Sequence, residues 1–172
     1  AAWKSVSANG DLTAGPDLAA GRGQLQLRIA QLADLQPLVG TPIGGSLAAN
    51  VRLTPSAGRP QARFDLTARN VRIHGVTGNA QLLASGAPNA LRIQLSAASP
   101  SLGGSPANIR VRARANDVAR TLELDRFQLH YRGQTVHLLS RPRIVFARGL
   151  AVRNLRLGAG KAVIAVNGEL TP

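Results

Sequence analysis

Cysteine is absent from the 172 residues, and so is methionine. The first absence excludes disulfide scaffolds, thiolate metal sites and cysteine nucleophiles, but it identifies no redox compartment. The second extends to position 1. The chain opens on Ala1-Ala2-Trp3, which reads as a processed chain or a piece of a longer one, with any signal or anchor lying outside it. Aromatics are scarce: Trp3, Phe64, Phe127, Tyr131 and Phe146. Asp+Glu total 8 against 21 Lys+Arg, so the formal net charge is +13. Only Lys4 and Lys161 are lysine, so the basic character is arginine. Such Ala-, Gly-, Leu- and Arg-rich usage also fits a GC-rich coding sequence, which weakens the arginine count as a functional signal. No run approaches the ~18–20 apolar residues of a membrane-crossing helix. The apolar fraction of 44% is nevertheless too high for a wholly disordered chain.

What the chain does contain is a period of two. Leu25, Leu27 and Ile29 alternate with Gln24, Gln26 and Arg28, and Leu47, Ala49, Val51 and Leu53 with Ala48, Asn50 and Arg52. Ala62, Phe64, Leu66 and Ala68 alternate with Arg63, Asp65, Thr67 and Arg69. Leu91, Ile93 and Leu95 do so with Arg92 and Gln94, and Ile109, Val111, Ala113 and Ala115 with Arg110, Arg112 and Arg114. Phe127, Leu129 and Tyr131, then Ile164 and Val166, complete the apolar set. Successive strand side chains point to opposite faces, so each run has one apolar and one polar face. Sustained alternation predicts half-buried antiparallel strands, ten to twelve of them by about the spacing of an all-β protein.

Turn formers separate the runs: Gly15-Pro16-Asp17, Thr54-Pro55-Ser56-Ala57-Gly58, Ser85-Gly86-Ala87-Pro88-Asn89 and Gly103-Gly104-Ser105-Pro106. Gln31–Val39 is the one helical candidate, at most two turns because Pro37 interrupts it, capping an end of the sheet. Leu129–Leu138 reads as a hairpin with a type II′ turn at Gly133-Gln134, Tyr131 opposite Val136, Leu129 opposite Leu138 and His130 opposite His137. No step in charge or composition marks a second domain, so residues 1–172 read as one.

The apolar face is aliphatic and small. Sandwich cores use large aromatics to fill the ~10 Å between sheets. Two architectures fit: a sandwich packed with aliphatics alone, or one sheet curled over a partly unfilled aliphatic groove. A groove of Leu, Val and Ala makes no hydrogen-bonding demand and suits acyl chains, where each buried CH₂ is worth about 0.8 kcal/mol.

Chemistry-bearing residues form no site. The nearest carboxylate group is Glu123, Asp125 and Asp117, which reads as a solvated strand face rather than a general acid–base pair. No Ser/His/Asp arrangement stands out. Gly158-Ala159-Gly160 reads as a hairpin turn without a following helix to hold phosphate. His130 and His137 lack a third metal ligand. The chain is therefore read as a non-enzyme with no catalytic residue, no metal and no cofactor. Arg52, Arg63, Arg69, Arg92, Arg110, Arg112 and Arg114 belong to polar faces, read first as a solvated basic surface, with contact to anionic lipid and to nucleic acid as the functional alternatives. Nucleic acid is not expected, because stacking aromatics are nearly absent.

Leu27–Val71 resembles the repeated unit of the TamB family, the translocation and assembly modules of the AsmA-like group. Asp34, Leu35, Pro37, Leu38 and Gly40 match its "dLxxLxPLxG" segment, and Ile43, Gly45 and Leu47 match "IxGxL". Phe127–Leu170 resembles it again through Gly158, Gly160, Ile164, Val166, Gly168 and Leu170. The resemblance implies a long antiparallel sheet curled into a trough, a β-taco with an apolar interior lined by the apolar set named above. It implies a periplasmic segment of a longer protein anchored in the inner membrane. The implied partners are a TamA-like outer-membrane barrel and either phospholipids or nascent outer-membrane protein and autotransporter strands. The implied role is outer-membrane biogenesis, by protein secretion or lipid transport, and carries no catalysis. The alternative is a structural sandwich, a scaffold or adhesin with a packed core; a nucleic-acid-binding β-domain is a third reading. A segment of a long sheet leaves an unpaired strand at each end, so edge-strand self-association is expected.

Overall fold

The computed structural model describes residues 5–13, 22–55, 61–146 and 149–170. They form twelve strands in one antiparallel sheet. In chain order these are β1 (Val6–Thr13), β2 (Arg22–Ile29), β3 (Ile43–Thr54), β4 (Gln61–Ile73), β5 (Val76–Gly86) and β6 (Leu91–Leu102). There follow β7 (Ser105–Asn116), β8 (Thr121–Tyr131), β9 (Gln134–Leu138), β10 (Arg143–Val145), β11 (Leu150–Ala159) and β12 (Ala162–Leu170). The all-β reading holds, and the strands form a single hydrogen-bonded sheet where a sandwich needs two. Trp3, the Gly15-Pro16-Asp17 turn and Ser56–Gly58 lie outside the described residues.

Each strand pairs with its neighbours in sequence, as a meander, with one exception. β9 and β10 share a single lane: β9 pairs the end of β8 and the end of β11, and β10 pairs their other halves. Between them Pro142, with no N–H to give, is fully buried and interrupts the ladder. Ser140 repairs the gap. Its hydroxyl donates to the Asn154 carbonyl at 2.5 Å and accepts from the Arg156 N–H at 3.0 Å. The Leu139 N–H donates to the Arg156 carbonyl at 2.8 Å.

The helical candidate forms at the expected place, as a 3-10 turn over Leu32–Leu35 and a short α1 over Gln36–Val39. Leu32 is buried against the sheet while Leu38 and Val39 stand exposed. Pro37 sits in the first turn, where its missing N–H costs nothing.

The β8–β9 hairpin differs from expectation. Tyr131 pairs with Gln134, His130 with Thr135 and Leu129 with Val136, so the turn is Arg132-Gly133, with φ of +50° and +72°. Positive φ at both positions is the type I′ signature, whose twist matches that of the strands. The register differs from the expected one by two, so Leu129, Tyr131, Val136 and Leu138 keep their common face, but His130 no longer opposes His137. His130 instead has Nδ1 at 3.0 Å from Thr135 Oγ1. The β11–β12 turn also differs from expectation: it falls at Gly160-Lys161, because Ala159 pairs with Ala162 and Gly158 belongs to β11.

Candidate functional site

Directly paired residues in an antiparallel ladder share a face, so the register shows which side chains lie together. One row runs Leu27, Ala49, Leu66, Leu82, Leu95, Val111 and Phe127 across β2 to β8. The next runs Leu25, Val51, Phe64, Ala84, Ile93, Ala113 and Leu124. A third runs Ile29, Leu47, Ala68, Ala80, Ala97, Ile109, Leu129 and Val136. Leu53, Leu91, Tyr131, Ile164 and Val166 fall on the same face, the last two on the edge strand β12. The eighteen apolar candidates of the sequence therefore share one face of the sheet.

Large and small residues alternate along the rows. Ile93 sits between Ala84 and Ala113, which are 7% and 4% exposed. The buried residues are mostly alanines shielded by their larger neighbours, and most of the larger ones remain half-exposed. Substantial contacts link strands that are partners in the sheet, or the short helical turns and the strands beside them.

Bulges interrupt β4 at Arg69-Asn70, opposite Gly45 of β3 and Asn79 of β5, and β6 at Pro100-Ser101. Each bulge bends its strand and sharpens the twist. Asn70 adopts φ +49°, and its N–H donates to Asn79 Oδ1 at 2.8 Å on the next strand. Asn154 in β11 repeats the device at φ +59°, donating to Asn167 Oδ1 at 2.6 Å. Beyond these bulges the apolar face continues through Val71, Ile73, Val76 and Leu102. With Ile109, Leu129, Gly78 and several alanines they line an open pocket of ≈ 410 Å³. That lies within the ~300–1,000 Å³ range of small-molecule sites. Alternation missed Val71, Ile73 and Leu102 because each bulge shifts the parity by one, whereas Val76 keeps the parity of Ala80 and Leu82 on β5. The irregular Ala68-Arg69-Asn70-Val71 step, with an Asn suited to positive φ, was the available signal.

The opposite face carries the arginines, Arg63, Arg92, Arg110 and Arg112 among them as expected. Four pairs are directly opposed across strands: Arg52/Arg63, Arg92/Arg114, Arg112/Arg126 and Arg143/Arg153. Three carboxylates of this face are held by some of them. Asp65 pairs with Arg63 at 3.0 Å and Asp125 with Arg114 at 2.7 Å, while Glu123 lies 2.5 Å from Arg143 and 3.9 Å from Arg114. The hydrogen bond to Asp125, and then its charge, push Arg114 above the ordinary arginine value, with Glu123 adding to the effect. Glu123 and Asp125 thus sit in ion pairs on an open surface. Among the described residues no group of His, Asp and Glu is arranged to hold a metal ion.

Comparison with family models, with characterised proteins and with solved structures finds no match to this chain, so its resemblance to TamB stands on the residue patterns alone.

Proposed function

We propose that the apolar face is the wall of a trough that shelters or transfers apolar cargo. The observation that carries this reading is the continuous apolar face of a single sheet, most of whose larger side chains stay half-exposed. Leaving so many Leu, Ile and Val side chains half-exposed forgoes about 25 cal/mol for each Å² that a covering layer would remove from water. A guest would recover it. The pocket beside the bulges, apolar and within the size range of small-molecule sites, supports the same reading.

The cargo class proposed is phospholipid acyl chains or nascent outer-membrane strands. The setting proposed is that of a TamB-like protein: periplasmic, part of an inner-membrane-anchored chain, working toward an outer-membrane barrel of the TamA type. The chain performs no catalysis in this scheme. The test is titration of the purified chain with a neutral acyl-chain fluorophore. Saturable binding displaced by phospholipid supports the lipid reading, and displacement by an amphipathic strand peptide alone supports the protein-strand reading. No saturable binding to the folded chain refutes both.

A further inference from the structure

The polar face carries more arginine than its carboxylates neutralise, and it places like charges side by side. Directly opposed side chains on adjacent strands lie ~5 Å apart at Cβ, and like charges there destabilise the sheet. Arg112 opposes Arg126, and Arg110 sits on the same strand and face as Arg112, ~6.8 Å along it. None of these three has a carboxylate partner among the described residues. They border one shallow depression of ≈ 310 Å³ on this face, with Gln81, Gln94 and Ser96 also on its wall. A cluster of guanidinium, amide and hydroxyl donors matches the oxygens of a phosphate ester, which arginine binds bidentately.

The arrangement is broad. Arginines run from Arg28 on β2 to Arg156 on β11, eight inter-strand spacings, or ~38 Å. Among the described strands the aromatics Phe64, Phe127 and Tyr131 all lie on the apolar face, leaving the basic face without a stacking platform for bases. A two-dimensional array of cations without aromatics fits a sheet of phosphate headgroups better than a nucleic-acid strand.

We infer that this face docks on an anionic phospholipid surface, with a headgroup phosphate received between Arg110, Arg112 and Arg126. The inference concerns the face opposite the apolar one and does not depend on the cargo reading. The test is co-sedimentation of the chain with vesicles of phosphatidylglycerol mixed into phosphatidylcholine, beside pure phosphatidylcholine. Binding should require the anionic lipid and weaken as salt is raised. The triple variant Arg110→Gln/Arg112→Gln/Arg126→Gln should bind about 100-fold more weakly, from roughly fivefold per cationic side chain at such a surface. Gln94→Glu guards against misfolding of that variant. It puts a carboxylate directly opposite Arg112, which steadies the sheet, and should weaken vesicle binding about fivefold. Equal binding to pure phosphatidylcholine, or both variants binding like the parent, overturns the inference. So does tighter binding to duplex DNA than to vesicles at equal phosphate concentration.

Discussion

Replacing Ile93 with arginine separates an open wall from a closed core. Ile93 is half-buried on β6, flanked on its own face by Ala84 and Ala113 across the neighbouring strands. Full burial of an isoleucine side chain is worth about 1.5–3 kcal/mol, so at half burial about 1 kcal/mol is at stake. The arginine stem can still cover the two alanines while its guanidinium reaches water along the open face. The expected loss is about 1–1.5 kcal/mol, a fall in Tm of roughly 3–5 °C for a domain of this length. Under a packed second layer the same change would strand a charge, at about 3–5 kcal/mol, and lower Tm by more than about 10 °C. The acyl-probe titration should respond much more. A charge in the path of an acyl chain displaces about four CH₂ groups at about 0.8 kcal/mol each, roughly a 100-fold loss of affinity. Calorimetric melting of Ile93→Arg beside that titration decides the matter. A variant that fails to fold refutes the open wall, and a folded variant with parental probe affinity refutes the acyl path.

Three further changes probe the scaffold. A Cβ at Gly23, which has φ +117°, would lie 1.9 Å from the Asp11 carbonyl oxygen, so Gly23→Ala should free β1 from β2. Hydrogen exchange should then show residues 6–13 losing protection while β4 to β8 keep theirs, and unchanged protection of β1 would contradict the close approach. Asn79→Ala removes the acceptor for the Asn70 N–H and should cost about 1 kcal/mol. Asn70→Gly in that background should restore part of the lost Tm by easing the positive φ; no recovery would count against the bulge as the strained element. We also propose that the open edge of β12, where Val163 and Ile164 are 54% and 53% exposed, drives self-association. Val163→Lys should shift the chain toward monomer in sedimentation velocity, and association at the parental level would exclude this edge.

Alternation alone determined that the chain is an antiparallel β protein and which residues share its apolar face. Side-chain parity along a strand is strictly two, so Leu25, Val51, Phe64, Ile93 and Val111 could be assigned to one side without knowing their partners. The same logic put Arg110 and Arg112 on the other. The short helical piece was legible at Gln31–Val39, with Pro37 limiting it to about two turns. Other features were decided only by pairing between strands distant from one another's local sequence pattern. The Arg132-Gly133 turn depends on which of two neighbouring registers the whole sheet accepts, and both leave Leu129 and Tyr131 on the same face. The bulge at Arg69-Asn70 is held by Asn79 on the next strand, so Val71 and Ile73 join the apolar face through a contact outside their own run. The shared lane of β9 and β10 depends on Ser140 meeting the backbone of β11. The opposition of Arg112 to Arg126 is likewise a matter of register across two strands. Local patterning sets which face a side chain takes; its neighbours on that face follow from hydrogen bonds between strands, which only the folded sheet supplies.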